Sequence, residues 1–204
     1  MSGKGVPVPG RVFITAPLAT LAEAVGAKAP SDDPGPRLDL APGEEAAVLA
    51  EPGGTLRPMR WQMIMSGRRN ARGRPMMQTI VNARAETVFQ KYAFTGVRRG
   101  VFPVNGWYEW TGSPGRKTRW DIRAPGRPVR AFAVIWDVWL APGGREIAQM
   151  ATLTVDPSAD VRKIHHRMPA ILAPDQIDPW LSGTLQTVSP TPAGLLAVTK
   201  SDLV

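Results

Sequence analysis

The sequence predicts an α+β fold with curved antiparallel sheets, and three features carry that expectation. Strand-like segments are many and short, Gly, Pro and Asn turns separate most of them, and helical patterning is confined to a few places. At 204 residues the chain suits one domain with a sizeable core. No internal repeat or linker divides it, so the expected organisation is a flexible leader over 1–9 followed by a single domain over 10–204.

In chain order, Gly10 to Thr15 has β character. Pro17 then opens a helix with Leu18, Leu21, Ala22 and Val25 on one face, and Gly26 closes it. Residues 30–37 (PSDDPGPR) are turn-rich and read as a mobile surface loop. Strands are expected at 46–50, 56–64, 100–104, 107–111, 119–123, 131–139 and 148–155. Helical pattern is expected at 85–92, after Asp156–Pro157, and around 175–181.

The formal net charge is +8, which favours polyanionic partners, nucleic acid first and an anionic membrane second. A merely solvated basic surface is the plainer alternative. Seven Trp are many for this length, and some would suit base stacking, although burial is the commoner fate of any one. The absence of Cys excludes disulfides, thiolate chemistry and cysteine-ligated zinc. The two His, His165 and His166, are adjacent, so neither a metal site nor a cofactor is expected. No apolar run approaches the roughly 20 residues of a membrane span, and 1–9 lacks the apolar stretch of a signal peptide. The chain therefore reads as cytoplasmic, and a monomer is expected.

The segment from Arg57 to Arg74 holds six Arg and one Trp. From Ser66 onward it is too polar for a core and suits a loop lying along phosphates, or a basic loop with no partner.

Four separated stretches resemble the SOS-response-associated peptidase (SRAP) family. They are Met59-Arg60-Trp61, Val81-Asn82-Ala83-Arg84-Ala85-Glu86-Thr87, Pro103-Val104-Asn105-Gly106-Trp107-Tyr108-Glu109-Trp110, and Ile164-His165-His166-Arg167-Met168-Pro169. Their order and spacing match the family's and span most of the chain. The resemblance implies a domain of twisted antiparallel sheets with a barrel-like core, crossed by a positive groove for single-stranded or junction DNA, including abasic DNA. In that family an N-terminal Cys captures the ring-opened sugar aldehyde, with an Asn, a Glu and a His around it.

Those three carry over as Asn82, Glu109 and His165. An amide can hold an amine or a sugar hydroxyl, a carboxyl can exchange protons during imine formation, and a His can shuttle protons at the sugar. The resemblance places Arg84 and Trp61 against phosphate and base, with Arg11, Arg60, Arg68, Arg69, Arg98 and Arg167 as further DNA contacts. Each catalytic candidate has a plainer reading. Asn82 could cap a helix beginning near Arg84, Glu109 could sit on the solvent face of a strand, and His165 could be a structural His.

The family's Cys is missing. Aligning Gly10-Arg11-Val12-Phe13 with the family's first strand puts Pro9 at the nucleophile position, behind an eight-residue extension; aligning the extreme N-terminus puts Ser2 there. Without a thiol no thiazolidine forms. The leading expectation is therefore a protein that binds DNA without capture. The alternatives are an amine-based Schiff-base lyase, using Pro9 or Ser2 freed by processing, and a self-processing peptidase. Two further departures are His166, where the family has an acid, and Asp39, where it has Asn. Asp39 is expected to weaken phosphate contact locally.

Overall fold

The structure, a computed structural model, describes residues 8–76, 78–113 and 115–201. Its strands are β1 (Arg11–Ile14), β2 (Arg37–Leu40), β3 (Glu45–Val48), β4 (Arg57–Trp61), β5 (Met63–Ile64), β6 (Thr79–Ile80), β7 (Asn82–Arg84), β8 (Arg98–Val104), β9 (Gly106–Ser113), β10 (Arg116–Arg123), β11 (Arg130–Leu140), β12 (Glu146–Val155), β13 (Met168–Pro169), β14 (Ile171–Leu172) and β15 (Ala197–Lys200). The α-helices are α1 (Leu18–Ala24) and α2 (Ile177–Leu181). The expected α+β fold of twisted sheets with a few short helices is what forms.

One sheet runs β15-β10-β9-β1-β2, a second runs β14-β11-β12-β4-β3 with β8 beside β11 and both β7 and β13 beside β12, and β5 and β6 form a two-stranded sheet of their own. Pairing is antiparallel except where β12 meets β4 and β7, both parallel to it. In β11 every residue from Ala131 to Trp136 is buried, as in a strand covered on both faces, and alternation begins only at Asp137. Edge-to-face aromatics line the core: Trp61 on Phe102 (5.9 Å), Phe102 on Phe132 (6.4 Å) and Phe132 on Trp107 (5.7 Å).

The α1 reading holds in detail. Leu18, Leu21 and Ala22 are buried, and Gly26 takes φ +67° just past the end. The 30–37 segment is better tied than expected. Asp33 accepts the Leu18 N–H at 2.9 Å and the Gly35 N–H at 2.8 Å, and these bonds hold its carboxyl below the usual range. The expected helix at 85–92 is corrected to two 3-10 turns, Val88–Gln90 and Tyr92–Phe94. The chain just before them is recruited by β12, where Thr152, Leu153 and Thr154 pair with Asn82, Ala83 and Arg84. Asn82 is therefore in a strand and caps no helix. After Asp156–Pro157 the backbone forms turns, not a helix.

Candidate functional site

The site is built where β1 enters its sheet. Val8 and Pro9 are both buried. Ser2 lies outside the described residues. β1 pairs with β9 in the register Arg11↔Tyr108, Val12↔Trp107 and Phe13↔Gly106. Pro9 precedes the first of these residues by two positions, and Glu109 follows Tyr108.

The Asn82 side chain, at the start of β7, donates from Nδ2 to the Pro9 carbonyl at 3.1 Å. Its Oδ1 is buried and has no hydrogen-bond partner among the described residues. Thr152, its register partner on β12, is fully buried with an equally unpartnered Oγ1. Glu109 is only 1% exposed, and its Oε1 likewise has no partner. Burial pushes its carboxyl up to about 8, opposed in part by the neighbouring Trp107 indole N–H, so at neutral pH it is mostly protonated and can donate a proton. The solvent-face alternative for Glu109 is therefore excluded.

His165 stands on the loop before β13, half-buried and stacked on His166 with ring centroids 4.3 Å apart. Its Nδ1 accepts the Arg167 N–H at 3.0 Å, which leaves the proton of the neutral ring on Nε2. Burial, and then neighbouring His166, lower its pKa. Asn82 and Pro9 are brought together directly, whereas no hydrogen bond among the described residues joins Asn82, Glu109 and His165 to one another.

Three of the expected DNA contacts are buried or engaged within the protein. Trp61 is fully buried against Phe102, so its ring cannot stack on a base. Arg167 has a side chain only 11% exposed; it bonds Asp156 (2.6 Å), Glu86 (2.8 Å) and the Thr154 carbonyl (2.6 Å), which leaves little for a phosphate. Arg68 pairs with Asp137 and donates to the Ala93 and Thr95 carbonyls, pinning its loop to β11.

The other cations keep some freedom. Arg84 is exposed and has no ion pair among the described residues. Arg69 is exposed and donates to its own loop at the Gly73 carbonyl. Arg98 lies over the Trp136 ring at 3.4 Å. Arg60 donates to Gln149 at 2.7 Å and lies 5.5 Å from the Trp139 ring centroid. Arg11 pairs with Asp39 at 3.0 Å. Trp61, Trp107, Trp136 and Trp180 are buried, and Trp110, Trp120 and Trp139 are half-buried. Sequence reasoning missed Thr152, because a threonine within a buried strand carries no local signal.

Among the described residues, no helix is long and apolar enough to cross a membrane. A family model described as "SOS response associated peptidase (SRAP)" matches residues 8–203. The abasic site processing protein YoaM of Bacillus subtilis is 28% identical over 153 residues, covering 72% of this chain and 66% of that protein. The abasic site processing protein HMCES of Gallus gallus is 32% identical over 150 residues, covering 62% of this chain and 45% of its own length. The chain thus spans about two thirds or less of these relatives. Among solved structures, a protein from Bacteroides thetaiotaomicron superposes with a TM-score of 0.78 at 21% identity, over 93% of this chain and 90% of that one. One from Bordetella bronchiseptica gives 0.76 at 22%, over 95% and 100%. These likenesses establish the fold. With a family match running from Val8 almost to the last residue, the chain belongs to the SOS response associated peptidase (SRAP) family.

Proposed function

We propose that this chain is a DNA-damage protein that binds abasic sites in single-stranded or junction DNA and does not form the thiazolidine cross-link. The observation that carries the reading is the pair of unpartnered buried oxygens, Asn82 Oδ1 on β7, whose amide holds the Pro9 carbonyl just before β1, and Glu109 Oε1 on β9, which pairs with β1. Buried polar atoms ordinarily have partners, and an open acceptor and a protonatable carboxyl each suit a sugar hydroxyl or aldehyde. The names of the relatives support abasic sites as the target. The absence of Cys removes the thiol that a thiazolidine requires. Arg84 and Arg69 are the cations best placed to meet phosphate.

Anisotropy titrations of matched oligonucleotides, intact and abasic, single-stranded and duplex, test this reading. Tighter binding of the abasic single strand, weakening steeply with salt, is expected. Equal affinity for all four, or no salt dependence, would refute it.

A second reading is favoured by the Asn82–Pro9 hydrogen bond, which holds Pro9 against the Asn82 amide. If processing exposes Pro9, its secondary amine would add to the sugar aldehyde and lose water to give an iminium ion, with Glu109 supplying the proton to the departing oxygen. Borohydride trapping of a chain beginning at Pro9, compared with the full chain, decides it: an adduct with neither excludes the lyase.

A further inference from the structure

Away from that site, the structure holds an open cleft of about 680 Å3 between residues 125–130 and 189–195. Its floor is apolar, formed by Ile171 and Leu172 of β14, and the half-exposed Leu195 stands on its rim. A smaller hollow of about 330 Å3 continues it toward α1, sharing Gly126, Arg127, Arg130 and Leu172.

Both walls are fixed. Asp160 accepts the Gly194 N–H at 2.9 Å and the Leu196 N–H at 3.2 Å, holding one wall. Asn105 donates to the Pro128 carbonyl at 2.7 Å and holds the other. A cleft held in this way needs little ordering when something binds in it.

Two guanidiniums enter it. Arg127 is exposed; Arg130, at the start of β11, is half-buried, and its Nε is buried without a partner. Neither has an ion pair among the described residues, and no Asp or Glu is among the described residues lining the main cleft. Glu23, the one acid lining the adjoining hollow, pairs with neither. Other half-buried arginines are tied to an acid or to neutral acceptors, Arg68 to Asp137, Arg167 to Glu86, Arg60 to Gln149 and Arg99 to the Leu185 carbonyl. Here two cations sit together uncompensated over an apolar floor.

We infer that this cleft docks a short acidic peptide of a partner protein, its carboxylate on Arg127 and Arg130 and a neighbouring apolar side chain on Ile171, Leu172 and Leu195. The charge pattern calls for an anion and the floor calls for an apolar group on the same ligand. A nucleic-acid strand fits less well, because only two cations are present and no aromatic ring lines the cleft for a base to stack on. The inference is independent of the DNA reading.

The test screens the full chain against an array of short peptides placing Asp or Glu beside Leu, Phe or Pro. The best binder is then titrated by anisotropy, alongside its Asn/Gln counterpart. Arg127→Glu should weaken the acidic peptide by about tenfold or more, the loss of a charge-assisted hydrogen bond. Leu195→Ser should weaken it as well, and the amide peptide should bind no better to the native chain than the acidic peptide binds to Arg127→Glu. Both residues are exposed, so unchanged thermal melts will confirm that the fold survives. Binding that ignores charge, or that both variants retain, overturns the inference. So does a short oligothymidine that displaces the peptide and itself loses affinity in Arg127→Glu. Arg84→Ala separates the two readings, since it should weaken an abasic oligonucleotide and leave the peptide unaffected.

Discussion

Asn82 and Pro9, 73 residues apart, are joined by one hydrogen bond from the Asn82 amide to the Pro9 carbonyl. It fixes the chain immediately before β1 against β7, and so against the long strand β12. The bond leaves Asn82 Oδ1 as an open acceptor at the same place.

Asn82→Ala removes both functions. A half-buried hydrogen bond of this kind contributes about 1 kcal/mol, so urea denaturation should register a loss of that order. Affinity for an abasic oligonucleotide should fall further than affinity for an intact one. Asn82→Asp should cost more stability, and increasingly so above the carboxylate range, because an anion then faces the Pro9 carbonyl. Unchanged abasic selectivity in Asn82→Ala would remove Asn82 from the site.

Glu109 predicts a pH signature. Its folded pKa of about 8 lies above its ordinary value of 4.5, so the folded state holds the proton more tightly than the unfolded chain does. Stability from this group is fully present below about pH 4.5 and is lost as pH rises through about 8, at up to about 1.4 kcal/mol per pH unit. Glu109→Gln keeps the shape without the titration. Its melting temperature should overtake that of the native chain toward pH 8, and the two should converge near pH 4.5. Parallel curves across that range would mean the carboxyl is not raised.

The sequence reveals the motif positions better than their roles. In the stretch from Pro103 to Trp110 most residues are structural. Asn105 accepts the Thr15 and Ala16 N–H groups, Gly106 leaves no room for a Cβ, which would lie 2.2 Å from Phe13 Cζ and 2.4 Å from the Ile122 carbonyl oxygen, and Trp107 fills the core. Glu109 alone has a buried oxygen free for chemistry. Likewise the second and fourth motifs meet through Glu86 and Arg167, so that Arg serves the fold. A basic or aromatic letter in a one-dimensional pattern does not say which face it takes; long-range pairing settles that. β7 illustrates the point, since parallel pairing with β12 draws Asn82, Ala83 and Arg84 into a strand just ahead of the 85–92 stretch whose local pattern suggested a helix.

Arg84 and Arg167 should therefore separate cleanly on substitution. Arg84→Ala should leave thermal stability nearly unchanged, weaken oligonucleotide binding and flatten the salt slope by about 0.7 for one lost single-strand phosphate contact. Arg167→Ala should cost about 2 kcal/mol, since it removes several charge-assisted bonds between the 156–167 loop, β12 and Glu86. The opposite pattern, an Arg167 variant that is stable but blind to DNA, would restore Arg167 to the interface.

Trp61 provides the sharpest contrast with a base-stacking role. It is fully buried at the end of β4, paired in register with Met150 and packed edge-on to Phe102. Removing that ring opens a cavity in the middle of the core, and Trp61→Ala should destabilise the fold by about 3–5 kcal/mol. Trp61→Phe keeps an aromatic edge against Phe102 and should cost less. Binding to an oligonucleotide, measured well below the melting temperature of each variant, should then be the same for native chain and Trp61→Phe, because no base reaches the ring. A stable Trp61→Phe protein with weakened DNA binding would show that the indole acts on the strand after all.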